Sequence, residues 1–66
     1  MITVNERNYD FRSGMTLLYI LKTDAVDIHG AVLVTLNGSL ISKEKYNETL
    51  LNDGDAVLAI KVVSGG

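Results

Sequence analysis

The 66-residue sequence predicts an α+β domain: a mixed sheet of four to five strands with one short helix packed across one face. Three observations carry that expectation. Apolar, β-branched runs bounded by turn residues recur at 2–4, 31–36 and 56–63. Between the first two, Leu17, Ile20 and Leu21 recur at helical spacing. Directly after the second run stands Asn37-Gly38, the strongest short-range hairpin signal in a sequence.

Taken in order, Ile2-Thr3-Val4-Asn5 alternates apolar and polar residues, the period of a half-buried strand. Glu6-Arg7-Asn8 reads as the reversal and the alternation through Tyr9 and Phe11 as the returning strand, so residues 1–12 are expected to form a hairpin. Ser13-Gly14 breaks it, and Thr16 is placed to cap a helix over 17–23, its hydroxyl accepting from an orphan amide of the first turn. Two helical turns do not persist alone in water, so this helix must be held by the sheet. Residues 24–30 are irregular, with Val26 and Ile28 as expected anchors. In the run 31–36, Val32, Val34 and Leu36 share one face, and Leu33 and Thr35 the other. After Asn37-Gly38, Ser39-Leu40-Ile41-Ser42 is the short returning strand. Residues 43–52 read as a turn of helix and a loop pinned by Tyr46, Leu50 and Leu51, and Asp53-Gly54-Asp55 turns the chain into the last strand. The first and last strands cannot be hairpin partners, because the whole domain separates them. Side by side, they run parallel.

The last run leads to Ser64-Gly65-Gly66. Glycines lack a Cβ and enter passages too narrow for other residues. Residues 1–63 are therefore expected to be the folded domain and 64–66 a thin, flexible, reactive tail. The plainer reading is a frayed end, as most domains have.

Composition excludes several functions. Net charge is −2, with six Lys and Arg residues spread along the chain, which is poor material for a phosphate backbone. No apolar stretch approaches the ~20 residues of a membrane span, and the first residues make no signal peptide. Cysteine is absent, which removes thiol chemistry and disulfide staples and makes the cytoplasm the expected compartment. His29 has no second His or Cys with metal-ligand spacing and reads as a loop imidazole. Asp53 and Asp55 lack the spacing of a calcium loop, Lys43 and Lys45 read as a solvated loop, and no glycine-rich phosphate loop exists. Neither a catalytic constellation nor a cofactor or metal site is expected.

The stretch L-N-G-S-L-I-S-K-E-K-Y-N-E-T-L-L-N-D-G-D at 36–55, followed by an apolar strand and Gly65-Gly66, resembles the ThiS family of sulfur carriers of thiamine biosynthesis. That family belongs to the ubiquitin-like β-grasp group, whose element order matches the one above. The length also fits, and the resemblance covers the whole chain. Members of the related MoaD family are usually longer and commonly carry prolines before Gly-Gly, whereas this chain has none. Ubiquitin itself carries basic residues before its Gly-Gly where this chain has Val62-Val63-Ser64. The remaining alternatives are a MoaD-like or other sulfur carrier serving another pathway, and a ubiquitin-like modifier that forms isopeptide bonds.

The resemblance implies that the chain is a carrier rather than an enzyme. A ThiF-like adenylating enzyme, using ATP and Mg²⁺, would activate the Gly66 carboxylate. A persulfide protein or another donor would supply the sulfur of a thiocarboxylate, for delivery to a thiazole synthase. Ser64 and Gly65 would thread into the partner. Alternation alone does not decide which side of the last strand is buried. In β-grasp relatives the residue two past the turn, here Val57, points into the core. That would leave Leu58, Ile60 and Val62, with Leu33 of the neighbouring strand, on an open face as a partner-binding patch. The alternative is that a loop or a second copy of the chain covers this face.

Overall fold

In a computed structural model, residues 1–62 are described; Val63 and the expected tail, Ser64, Gly65 and Gly66, lie outside the described residues. Five strands, β1 (Ile2–Val4), β2 (Arg7–Tyr9), β3 (Val32–Leu36), β4 (Ser39–Ile41) and β5 (Ala56–Lys61), form one sheet in the order β2-β1-β5-β3-β4. The helix α1 (Leu17–Thr23) and a 3₁₀ turn (Lys43–Lys45) complete the elements among the described residues. β5 runs parallel to β1 and antiparallel to β3, so the last strand is the centre of the sheet. This is the ubiquitin-like β-grasp.

The first hairpin differs from the sequence expectation. The chain reverses at Asn5-Glu6, one residue earlier than expected, and the return strand is Arg7–Tyr9, with Phe11 beyond it. Such a tight turn needs a left-handed residue, and Asn5 supplies one at φ 55°. At the second hairpin Asn37 and Gly38 both take positive φ, 51° and 88°, the conformation whose twist matches the flanking strands.

α1 is built as its sequence predicts at the front and less predictably at the back. The Thr16 hydroxyl accepts from the Tyr19 N–H (3.1 Å), and Leu17, Ile20 and Leu21 face inward. At the C-terminus Val26 N–H donates to the Leu21 carbonyl (2.9 Å) and Ala25 N–H to that of Lys22 (3.1 Å). These bonds make a Schellman stop, which needs a left-handed residue at Ala25. Ala25 meets that need with φ 60°, although it has a Cβ that opposes it.

The core joins Ile2 and Val4 of β1, Val34 of β3 and Val57 of β5 to the inner face of α1. Burying each large side chain contributes about 1.5–3 kcal/mol, which matters in a chain of this size. Met15, Tyr46 and Leu51 close its margin. Leu50 does not join them, contrary to expectation: it is 63% exposed. The backbone at Leu50 forms an antiparallel bridge with Thr16, and along such an extended segment neighbouring side chains point opposite ways, so Leu51 takes the inward place.

Two polar networks fasten the ends of elements. Asn37 N–H donates to the Ala56 carbonyl (2.8 Å), and the Asn37 side-chain oxygen accepts from Ala56 N–H (2.9 Å). The Asn37 amide nitrogen donates to buried Asp55 (2.9 Å), whose second oxygen accepts from Asn52 N–H (2.7 Å). The turn before β3's return strand is thereby tied to the turn that launches β5. At the other side, the Asp24 carboxylate, 4% exposed, accepts from Arg7 (2.9 Å) and from the Tyr9 hydroxyl. That pair fastens β2 to the end of α1. The hydrogen bond to Asp24 holds the Tyr9 phenol above its ordinary pKa, so Tyr9 stays neutral and keeps donating.

Ala25→Gly should relieve the left-handed strain and raise stability by about 1 kcal/mol, or several degrees in a melt. A lowered midpoint would show that the extra freedom of glycine in the unfolded chain outweighs the strain.

Candidate functional site

Each residue of β5 sends its backbone hydrogen bonds to one side only. Val62 N–H donates to the Ala31 carbonyl (2.8 Å) and Asn37 N–H to that of Ala56 (2.8 Å), so Ala56, Leu58, Ile60 and Val62 bond towards β3. Val57 and Ala59 bond towards β1: Asn5 N–H donates to the Val57 carbonyl (2.8 Å), and Ala59 N–H donates to the Asn5 side-chain oxygen (2.9 Å). The strand is held from both sides, which fixes its side-chain directions.

Those directions are unequal in chemistry. Val57 is 2% exposed and packs beneath α1, with Ala59 partly buried beside it. Leu33 (47%), Leu58 (45%), Ile60 (47%) and Val62 (42%) are exposed. Leu33 lies directly opposite Ile60, and Thr35 opposite Leu58, so these residues share the face away from the helix. Among the described residues no element covers that face. A surface of adjoining branched apolar side chains is the kind that marks an interaction site.

Leu40 belongs to the same surface and was not expected there. It lies opposite Thr35 across the β3–β4 pair and is 65% exposed. A two-residue Asn-Gly loop pairs Leu36 with Ser39, so the next pair outward is Thr35 with Leu40. Counting outward from the hairpin was the signal that would have found it. At the opposite margin, Glu6 and Arg7 of the first hairpin border Leu58.

Other candidates resolve to structure. His29 is exposed, and its backbone N–H donates to Asp27 (3.1 Å). Asp55 serves the Asn37 network described above. Among the described residues no group of three or more His, Cys, Asp or Glu could hold a metal ion, and no helix is long and apolar enough to cross a membrane. Gly66, Gly65 and Ser64, the expected reacting residue and threaded segment, lie outside the described residues.

The ThiS family description matches residues 2–66. The chain belongs to the ThiS family. Two solved structures agree with that membership. A crystal structure of thiamine biosynthesis protein ThiS from Geobacter metallireducens is 30% identical, with a TM-score of 0.78 over 98% of this chain and 97% of that one. A solution structure of a thiamine biosynthesis protein from Geobacter metallireducens is also 30% identical, with a TM-score of 0.73 over 98% of this chain and 86% of that one. Comparison with curated proteins gives no match. The ThiS match extends through Gly65-Gly66.

The two faces of β5 should respond differently to truncation. Val57→Ala is expected to cost roughly 2 kcal/mol, and Leu58→Ser less than about 1 kcal/mol. Thermal melts of the two variants check this. A larger loss from Leu58→Ser would mean that the outer face is packed in solution.

Proposed function

We propose that this chain is a sulfur carrier of thiamine biosynthesis whose reacting group is the Gly66 carboxylate. The supporting observation is the ThiS-family match, which runs through the terminal glycine pair. The open apolar face supports the same reading, since a carrier handled by several enzymes needs a surface its own core does not use.

The chemistry explains why a carrier needs an activating partner. A carboxylate resists direct displacement by sulfur, because oxide is a poor leaving group. In a ThiF-like adenylating enzyme, a Gly66 oxygen attacks the α-phosphorus of ATP with Mg²⁺, and pyrophosphate leaves. The resulting mixed anhydride has AMP as a good leaving group. A persulfide sulfur displaces it, and reduction of the acyl disulfide by a thiol leaves the thiocarboxylate and a new disulfide. The thiocarboxylate then gives its sulfur to a thiazole synthase. This chain acts as co-substrate throughout and binds no cofactor of its own. Leu33, Leu58, Ile60, Val62 and Leu40 form the surface that the adenylating enzyme grips, while Ser64 and Gly65 thread towards its nucleotide.

Deletion of Gly66 should leave the melt unchanged and abolish thiocarboxylate formation, read by intact mass after incubation with the adenylating enzyme and a sulfur source. A truncated protein that still gains sulfur would overturn the proposal. Gly65→Ala should slow activation on the order of 100-fold, since small misplacements near a reacting group are costly. Ile60→Asp should stay folded and bind the adenylating enzyme more weakly. Normal binding by that variant would move the docking surface elsewhere.

A further inference from the structure

β1 is shorter than β5, and this leaves part of the central strand without a neighbour. The parallel β1–β5 pairing covers only Thr3 with Ala56 and Val4 with Val57. The chain then turns away at Asn5-Glu6. Asn5 closes the ladder with its side chain, whose oxygen accepts from Ala59 N–H (2.9 Å). Beyond that bond, the Ala59 carbonyl and the N–H and carbonyl of Lys61 point to the same side, because the intervening Ile60 bonds towards β3. Among the described residues none of these three groups has a hydrogen-bond partner.

An acceptor, a donor and an acceptor at strand spacing form an open edge on which another strand can pair. Next to them, on the helix side, is a cleft of about 180 Å³ lined by Asn5, Val26, Asp27, Val32, Ala59 and Lys61. That volume is below the roughly 300–1,000 Å³ of a small-molecule or cofactor site. It is open to a side chain. A strand laid along the Ala59–Lys61 edge would send alternate side chains to the two faces of the sheet, and those on the helix side would enter the cleft.

We propose that the Ala59–Lys61 edge is a docking ledge for an extended segment of the adenylating enzyme, paired to it backbone to backbone, with one apolar side chain in the cleft. This rests on the reading that the Gly66 carboxylate is the reacting group. Four residues separate Val62 from that carboxylate, and extended chain spans at most about 14 Å over that length. An enzyme acting on Gly66 must therefore overhang the end of β5, and the ledge lies at that end. Backbone pairing there would also fix the direction in which the chain leaves the sheet. Asn5 sets the inner limit of the ledge, because its side chain already fills the preceding position.

The test is a titration of the adenylating enzyme with wild-type protein, Lys61→Ala and Lys61→Pro, with a melt of each. Proline removes the Lys61 N–H, which makes no bond to β3, and edge positions of this kind tolerate it. Lys61→Pro should bind about tenfold more weakly than Lys61→Ala, the scale of one lost backbone hydrogen bond. Equal binding by the two variants overturns the ledge. Should Lys61→Pro fail to fold, hydrogen exchange of the wild-type protein decides the matter. The Lys61 amide should exchange freely in the isolated protein and be protected in the complex. Unchanged exchange at Lys61 in a complex that does form overturns the ledge and leaves the carrier reading intact. Absence of wild-type binding overturns the carrier reading, and the ledge with it.

Discussion

The last strand of the chain is the centre of the sheet, parallel to β1 on one side and antiparallel to β3 on the other. Everything else depends on where that strand begins. Its start is held by Asn37, which bonds both backbone groups of Ala56 and the buried carboxylate of Asp55. Asp55 in turn holds the Asn52 amide, so the loop before β5 and the hairpin beyond β3 are fixed to one another. A chain of this size buries only about 60% of its unfolded surface, and its core cannot correct a misplaced central strand by bulk. A shift of β5 by one residue would turn Val57 outward and Leu58 inward, exchanging core and surface together.

That constraint explains how a small fold serves two demands with one strand. The inner face supplies Val57 to the core under α1, while the outer face presents Leu58 and Ile60 beside Leu33 and Leu40. The outer residues can therefore suit a partner without cost to the core. Leaving them uncovered is a liability in water, and the proposed docking role gives that exposure a use. In sequence, the strand runs directly towards the glycine pair.

Much of this was legible in the residues. The Thr16 cap, the spacing of Leu17, Ile20 and Leu21 and the Asn37-Gly38 hairpin each rest on local chemistry, and each stands in the structure. The placement of Val57 came from the family resemblance, since alternation left both faces open. What stayed hidden depended on distance or on unusual backbone angles. The position of the first turn is not legible locally, because a lone Asn5, without glycine, adopts the left-handed angle. Leu50 and Leu51 are equally apolar, and only the bridge to Thr16 decides which one turns inward. Asp24 reads as a loop residue until Arg7 and Tyr9, 17 and 15 residues away, meet its carboxylate. Leu40 could have been placed by counting from the hairpin.

The division of β5 into a core face and a docking face is the central claim, and methyl chemical-shift mapping addresses it most directly. Protein with labelled Leu, Ile and Val methyls would be titrated with a purified adenylating enzyme of the ThiF type. The account predicts that Leu33, Leu58 and Ile60 shift or broaden first, while Leu17, Ile20 and Leu21 beneath the helix stay unchanged. Perturbation centred on the helix side, with the outer face of the sheet unaffected, would contradict it.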